Sequence, residues 1–172
     1  HSLGAAGACV ANPRVLRALR DALPSPAAAG GGGPLFLVNE QHLVKPPAEG
    51  GAGAGASASG AGAFPLHRDE DWLVGRRVGG TPYYSLWVAL DPMGAENGGL
   101  ELPAGPRDRT ALVPCAAGDA VLMDSQVLHR SGPNRSGAFR RAYMPQFSLG
   151  APLLDLDTGQ PVALAVPLQL PA

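Results

Sequence analysis

The chain has 172 residues, 13 basic against 14 acidic, and a formal net charge of -1. That length suits one domain with its own core. The basic residues are scattered rather than gathered into a stripe, which argues against nucleic acid or an anionic membrane as partner. No apolar run approaches the roughly 18 residues of a membrane span.

Taken in chain order, the first predicted element is a helix. Asn12 can cap it, Pro13 suits its first position, and Val15, Leu16, Leu19 and Leu23 share one face. Arg14, Arg17 and Arg20 take the other side, and Pro24 ends it. Much of the glycine then falls in two Gly/Ala tracts, 27–33 and 50–63. Such tracts bury little and are costly to order, so they read as loops without a chemical role. Strands are expected at 35–44, 83–90, 110–115, 120–124, 139–148 and 161–168. Asn97-Gly98-Gly99, Gly118-Asp119, Gly132-Pro133-Asn134 and Thr158-Gly159-Gln160 supply turns between them. Many short strands without helical crossovers suggest an antiparallel sandwich or barrel. Cys9 and Cys115 stand alone, with no CxxC, so the expected compartment is intracellular, cytoplasmic by default. The chain opens on His1 rather than Met, and an N-terminal portion is expected to be missing.

The chemistry concentrates around "FPLHRDEDWL", residues 64–73. His67 and Asp69 would share a face if the segment were a strand, but a lone His-x-Asp is more often a surface feature than a ligand pair. Of the other histidines, His1 is terminal, His42 has no carboxylate nearby in sequence, and His129 precedes a Gly-Pro-Asn turn. Two histidines and one carboxylate can occupy one face of an octahedral metal and leave three positions open, as in non-haem Fe(II) oxygenases. An anionic cosubstrate then needs an anchor, for which Arg is suited by its permanent charge and bidentate fork. Arg140 and Arg141 lie eleven and twelve residues after His129, and strand alternation allows only one of them to face inward.

Three longer segments extend the pattern: "LVKPP" ahead of "FPLHRDEDW", then "YYSLWVALDPMGAENGGLELPAG", then "GDAVLMDSQVLHRSGPNRSGAFRRAY". Together they resemble the phytanoyl-CoA dioxygenase family of Fe(II)/2-oxoglutarate-dependent oxygenases, over roughly residues 35–148. The resemblance implies a mainly β fold, a double-stranded β-helix (jelly-roll or cupin-like barrel) with at least one N-terminal helix. It implies a single, N-terminally incomplete oxygenase domain across 1–172. Iron is implied on His67, Asp69 and His129, and the far carboxylate of 2-oxoglutarate on Arg140 assisted by Ser131. Lys45 either approaches the cosubstrate or marks the start of a loop, and Ser131 has the alternative of serving the turn through Asn134. The implied reaction uses Fe(II), 2-oxoglutarate and O₂, with ascorbate as a supporting reductant. It hydroxylates a small molecule or acyl-type substrate and yields succinate and CO₂. Trp72 and Trp87 read as core or pocket wall, and Glu70 and Asp71 as solvated. The family's Pro-Gly-Ser-His stretch is replaced here by "PAGPRDR". Two other classes share these residues, a Zn-dependent hydrolase and an inactive barrel acting as a binding module. Substrate and oligomeric state are not specified by the sequence.

Overall fold

Asn12 starts the first element as its chemistry predicts. Its side-chain oxygen accepts from the Arg14 backbone N–H at 2.9 Å. Helix α1 then runs Pro13–Ala22, with Leu16 and Leu19 buried and the arginines turned to solvent. The computed structural model describes residues 10–23, 33–48, 62–79, 82–106 and 109–169. The Gly/Ala loops expected at 27–33 and 50–63 lie outside the described residues except for Gly33, Gly62 and Ala63. Among the described residues no helix is long and apolar enough to cross a membrane.

Among the described residues nine strands follow: β1 Leu35–Lys45, β2 Phe64–His67, β3 Tyr83–Ala89, β4 Leu100–Pro103, β5 Thr110–Leu112, β6 Ala120–Asp124, β7 His129–Ser131, β8 Arg140–Leu149 and β9 Val166–Leu168. A five-stranded sheet has the order β6-β3-β8-β1-β9, and a four-stranded sheet the order β2-β7-β4-β5. The pairings β1–β9, β2–β7, β4–β5 and β4–β7 are antiparallel. The architecture is mainly β, of the double-stranded β-helix class expected from the sequence. The strand expected at 161–168 shrinks to β9. Pro161 makes only an isolated bridge to Leu154, across a turn that Asp155 closes by accepting from the Asp157 and Thr158 backbone N–H groups.

The chain divides into two compact units: 1–40 with 75–84 and 145–172, and 41–74 with 85–144. The first contains α1 and β9, and buries Leu16, Leu19, Leu35, Val38 and Phe147. The second contains the four-stranded sheet, and its core gathers Trp87, Ala89, Met93, Leu100, Cys115, Met123, Ala142 and Met144. Alternation explains this membership, because Trp87 and Ala89 share one face of β3, and Ala142 and Met144 one face of β8. Cys115 is free and buried, and burial, with Asp119 adding to it, pushes its thiol above the usual range. It behaves as a small hydrophobe rather than a reactive thiol.

Phe147 has no exposed surface. Phe147→Ala is expected to lower stability by about 3–5 kcal/mol, the usual cost of an aromatic cavity. A shift of the denaturant midpoint with an unchanged slope would check this.

Candidate functional site

Every residue of the candidate site lies in the second unit. Strand β7 is its centre, and its three residues alternate buried, exposed, buried. His129 and Ser131 therefore point one way, while Arg130 points out to an ion pair with Glu101 at 2.8 Å. β7 lies between β2 and β4, with His67 opposite His129, and Phe64 and Leu100 opposite Ser131. Between Phe64 and His67 the register shifts, so β2 carries one more residue than β7 over that interval. The result is that two histidines from adjacent strands meet, their ring centroids 4.3 Å apart.

Asp69 reaches the same point by another route. The expectation that His67 and Asp69 share a strand face is corrected by the structure. β2 ends at His67, Arg68 is extended, and Asp69 opens a short 3₁₀ turn, Asp69–Leu73. The crowded acidic residues shape that turn. The Asp71 carboxylate accepts from the Arg68 N–H at 2.8 Å, and the Glu70 N–H donates to the Ser125 carbonyl at 3.2 Å. Asp69 is buried while Asp71 is exposed. One donor atom from each of His67, Asp69 and His129 lies within 4.8 Å of the others. His129 Nε2 stands 3.6 Å from Asp69 Oδ1, outside hydrogen-bonding distance.

Both histidines are held in one tautomer. His67 Nδ1 lies 2.7 Å from the Pro65 carbonyl and His129 Nδ1 2.9 Å from the Val127 carbonyl. A carbonyl only accepts, so each Nδ1 carries the proton, and in the neutral ring each Nε2 keeps a free lone pair. The second oxygen of Asp69 accepts from the Ser85 hydroxyl. This side chain was not singled out in the sequence, and its only local signal is its place two residues before Trp87 on the inward face of β3.

Beside this cluster the unit buries two cations. Arg140 is 1% exposed and Lys45 0%, whereas Arg141 is exposed and forms a two-pronged pair with Asp91 at 2.7 and 2.9 Å. Arg140 donates through Nη2 to the Gly98 carbonyl at 2.9 Å, and its guanidinium lies 5.6 Å from the Trp87 ring centroid. Its Nε and Nη1 are buried with no hydrogen-bond partner among the described residues. Burial draws Arg140 down to about 10, against which Asp91 acts, so it stays charged at neutral pH. Lys45 donates to Ser131 Oγ at 2.7 Å and to the Gly132 carbonyl. Burial first, then the nearby Arg140 charge, lowers it to about 7, with Glu101 opposing.

Ser131 thus contacts Lys45 rather than closing the turn. Asn134 fills that second role, donating to the Lys45, Pro46 and Ala138 carbonyls at 3.1, 2.9 and 2.7 Å. Trp87 is buried, but Trp72, expected in core or pocket wall, is 43% exposed because the 3₁₀ turn carries it outward. His42 lies on an exposed stretch of β1, its ring 4.9 Å from that of Tyr143, and takes no part in the cluster.

The family model for phytanoyl-CoA dioxygenase (PhyH) matches residues 101–142, the stretch that holds His129, Ser131 and Arg140. No curated protein sequence matches the chain. Among solved structures, the non-heme monooxygenase ThoJ in its nickel complex aligns at TM-score 0.62 and 19% identity, over 95% of this chain and 64% of its own. SnoK, a non-heme alpha ketoglutarate dependent carbocyclase from nogalamycin biosynthesis, aligns at TM-score 0.54 and 20% identity, over 80% and 60%. EvdO2 from Micromonospora carbonacea var. aurantiaca, complexed with 2-oxoglutarate, aligns at TM-score 0.51 and 25% identity, over 73% and 56%. The chain spans about three fifths of the length of these proteins. The match to the family model runs from β4 into the start of β8, and the fold is similar to that of these non-heme oxygenases.

The backbone at Gly98 ties the two cations together. Its φ is +70°, and an added Cβ would collide with the Gly132 carbonyl oxygen and sit 3.0 Å from Lys45 Nζ. Gly98→Ala is expected to destabilise the fold by more than about 1 kcal/mol. It should also loosen the Arg140 carbonyl contact, and thermal melting followed by hydrogen exchange of the Arg140 side chain would register both.

Proposed function

We propose that the chain is an Fe(II)- and 2-oxoglutarate-dependent dioxygenase, acting as a single oxygenase domain, that hydroxylates a small molecule or acyl-type substrate. The observation that carries this reading is the buried Arg140 with two unmatched donors beside two imidazoles and a carboxylate that converge. Unmatched buried donors are costly unless a ligand completes them. A guanidinium with unmatched N–H groups suits a carboxylate, whose negative charge makes it the stronger acceptor. The nitrogen and carboxylate donor set suits a divalent first-row ion with open positions.

When bound, Fe(II) would supply the O₂-dependent oxidation, with succinate and CO₂ as co-products of 2-oxoglutarate. The chain's share is different. His67, His129 and Asp69 would hold the metal through Nε2, Nε2 and Oδ1. Arg140 would neutralise the far carboxylate of the cosubstrate, and the Ser131 hydroxyl would donate to it. Lys45 adds a second cation behind Ser131, and Trp87 covers the guanidinium against water. A Zn-dependent hydrolase would use the three ligands alone and leave the buried Arg140 without a purpose.

Anaerobic addition of 2-oxoglutarate to the Fe(II) protein is expected to give a weak visible charge-transfer band, and air should then release succinate. His129→Ala should abolish both. Absence of the band in the wild-type protein would sink the reading, and a band without any succinate would favour the inactive binding module.

Lys45 gives the pH dependence. It titrates near 7 in the folded chain against 10.5 for an ordinary lysine. Between those values the unfolded chain holds the proton and the folded chain does not. Stability therefore rises with pH through that window, and the cost of the buried ammonium is present in full below it. A bound dianion favours the ammonium, so cosubstrate binding takes up a proton. Affinity for 2-oxoglutarate is expected to weaken as pH rises above about 7, and Lys45→Met to flatten that dependence, as calorimetry across a pH series would measure.

A further inference from the structure

We infer that Ser85 is a positioning residue that keeps Asp69 a one-oxygen ligand; the inference rests on the metal-centre reading above and deepens it. Each of the three converging side chains has two atoms able to bind a metal, and in each the second atom is already engaged. His67 Nδ1 is engaged by the Pro65 carbonyl and His129 Nδ1 by the Val127 carbonyl. Asp69 Oδ2 is engaged by the Ser85 hydroxyl, while Oδ1 faces His129 Nε2.

The first two locks are backbone atoms and follow from the course of β2 and of the chain before β7. The third is a side chain, fully buried on β3. Its placement follows from strand alternation: Ser85 and Trp87 share a face, so β3 addresses Asp69 with one residue and Arg140 with the other. A carboxylate is free to bind an ion through one oxygen or two. Binding through two would consume a position that a facial triad leaves open. A hydroxyl donating to Oδ2 makes that oxygen the poorer metal donor and turns Oδ1 toward the imidazoles. Partners of this kind orient metal ligands elsewhere, and their loss typically weakens metal binding by about 10–100-fold.

The test uses Co(II) as the probe, with affinity and the visible ligand-field spectrum as readouts, so that turnover is not required. Ser85→Ala removes one oxygen atom from a buried site. It is expected to weaken Co(II) binding by about 10–100-fold and to alter the spectrum, with the metal-free protein still melting cooperatively, at a lower temperature because Asp69 Oδ2 loses its donor. Ser85→Thr, which keeps the hydroxyl, should restore both. In an Asp69→Ala background the Ser85→Ala change should have no further effect on Co(II) binding. Wild-type affinity and spectrum in Ser85→Ala would overturn the inference, as would an equal loss in both backgrounds, which would mark a folding defect. Failure of the wild-type protein itself to bind Co(II) through His67, Asp69 and His129 would remove the metal centre and this inference together.

Discussion

The second unit is organised around an unbalanced burial of charge. Arg140 and Lys45 are both removed from water, and the carboxylates that act on them, Asp91 and Glu101, are engaged by Arg141 and Arg130. A buried charge without a counter-charge is one of the most expensive features a fold can hold. The structure meets part of that cost with the Gly98 carbonyl, the Trp87 ring, Ser131 and the Gly132 carbonyl. Two guanidinium donors remain unmatched. The left-handed backbone at Gly98, the three carbonyls gathered by Asn134 and the inward face of β3 all serve to hold these cations in position.

Much of this was legible in the residue order, for reasons that can be named. Asn12-Pro13 encodes a cap and a first turn in two adjacent positions, so α1 begins where expected. The strands at 83–89 and 120–124 are apolar and bounded by turn formers, and their ends fall within a residue of expectation. Alternation puts Arg140 and Arg141 on opposite faces of β8, and Arg140 is buried while Arg141 is exposed.

What escaped the sequence depends on distance or brevity. β4 and β7 have four and three residues, too few for a period of two to stand out. His67 and Asp69 converge through a turn rather than a strand, because three acidic residues in five favour a closed turn over extension. Lys45 meets Ser131 across 86 positions of chain and Ser85 meets Asp69 across 16. No local pattern records such contacts. They exist only once the sheets are paired.

β7 also acts as a ruler. His129 and Ser131 are two residues apart on an extended strand, a separation of about 6.7 Å that the backbone repeat sets and side chains cannot alter. Under the proposed reading, one end of that rod faces the metal and the other faces the cationic pocket. A linear diacid fits when its two ends are matched to that interval. A ligand one methylene shorter or longer would touch one end and miss the other. On that reading, discrimination by chain length resides in backbone geometry, where point substitution cannot easily retune it.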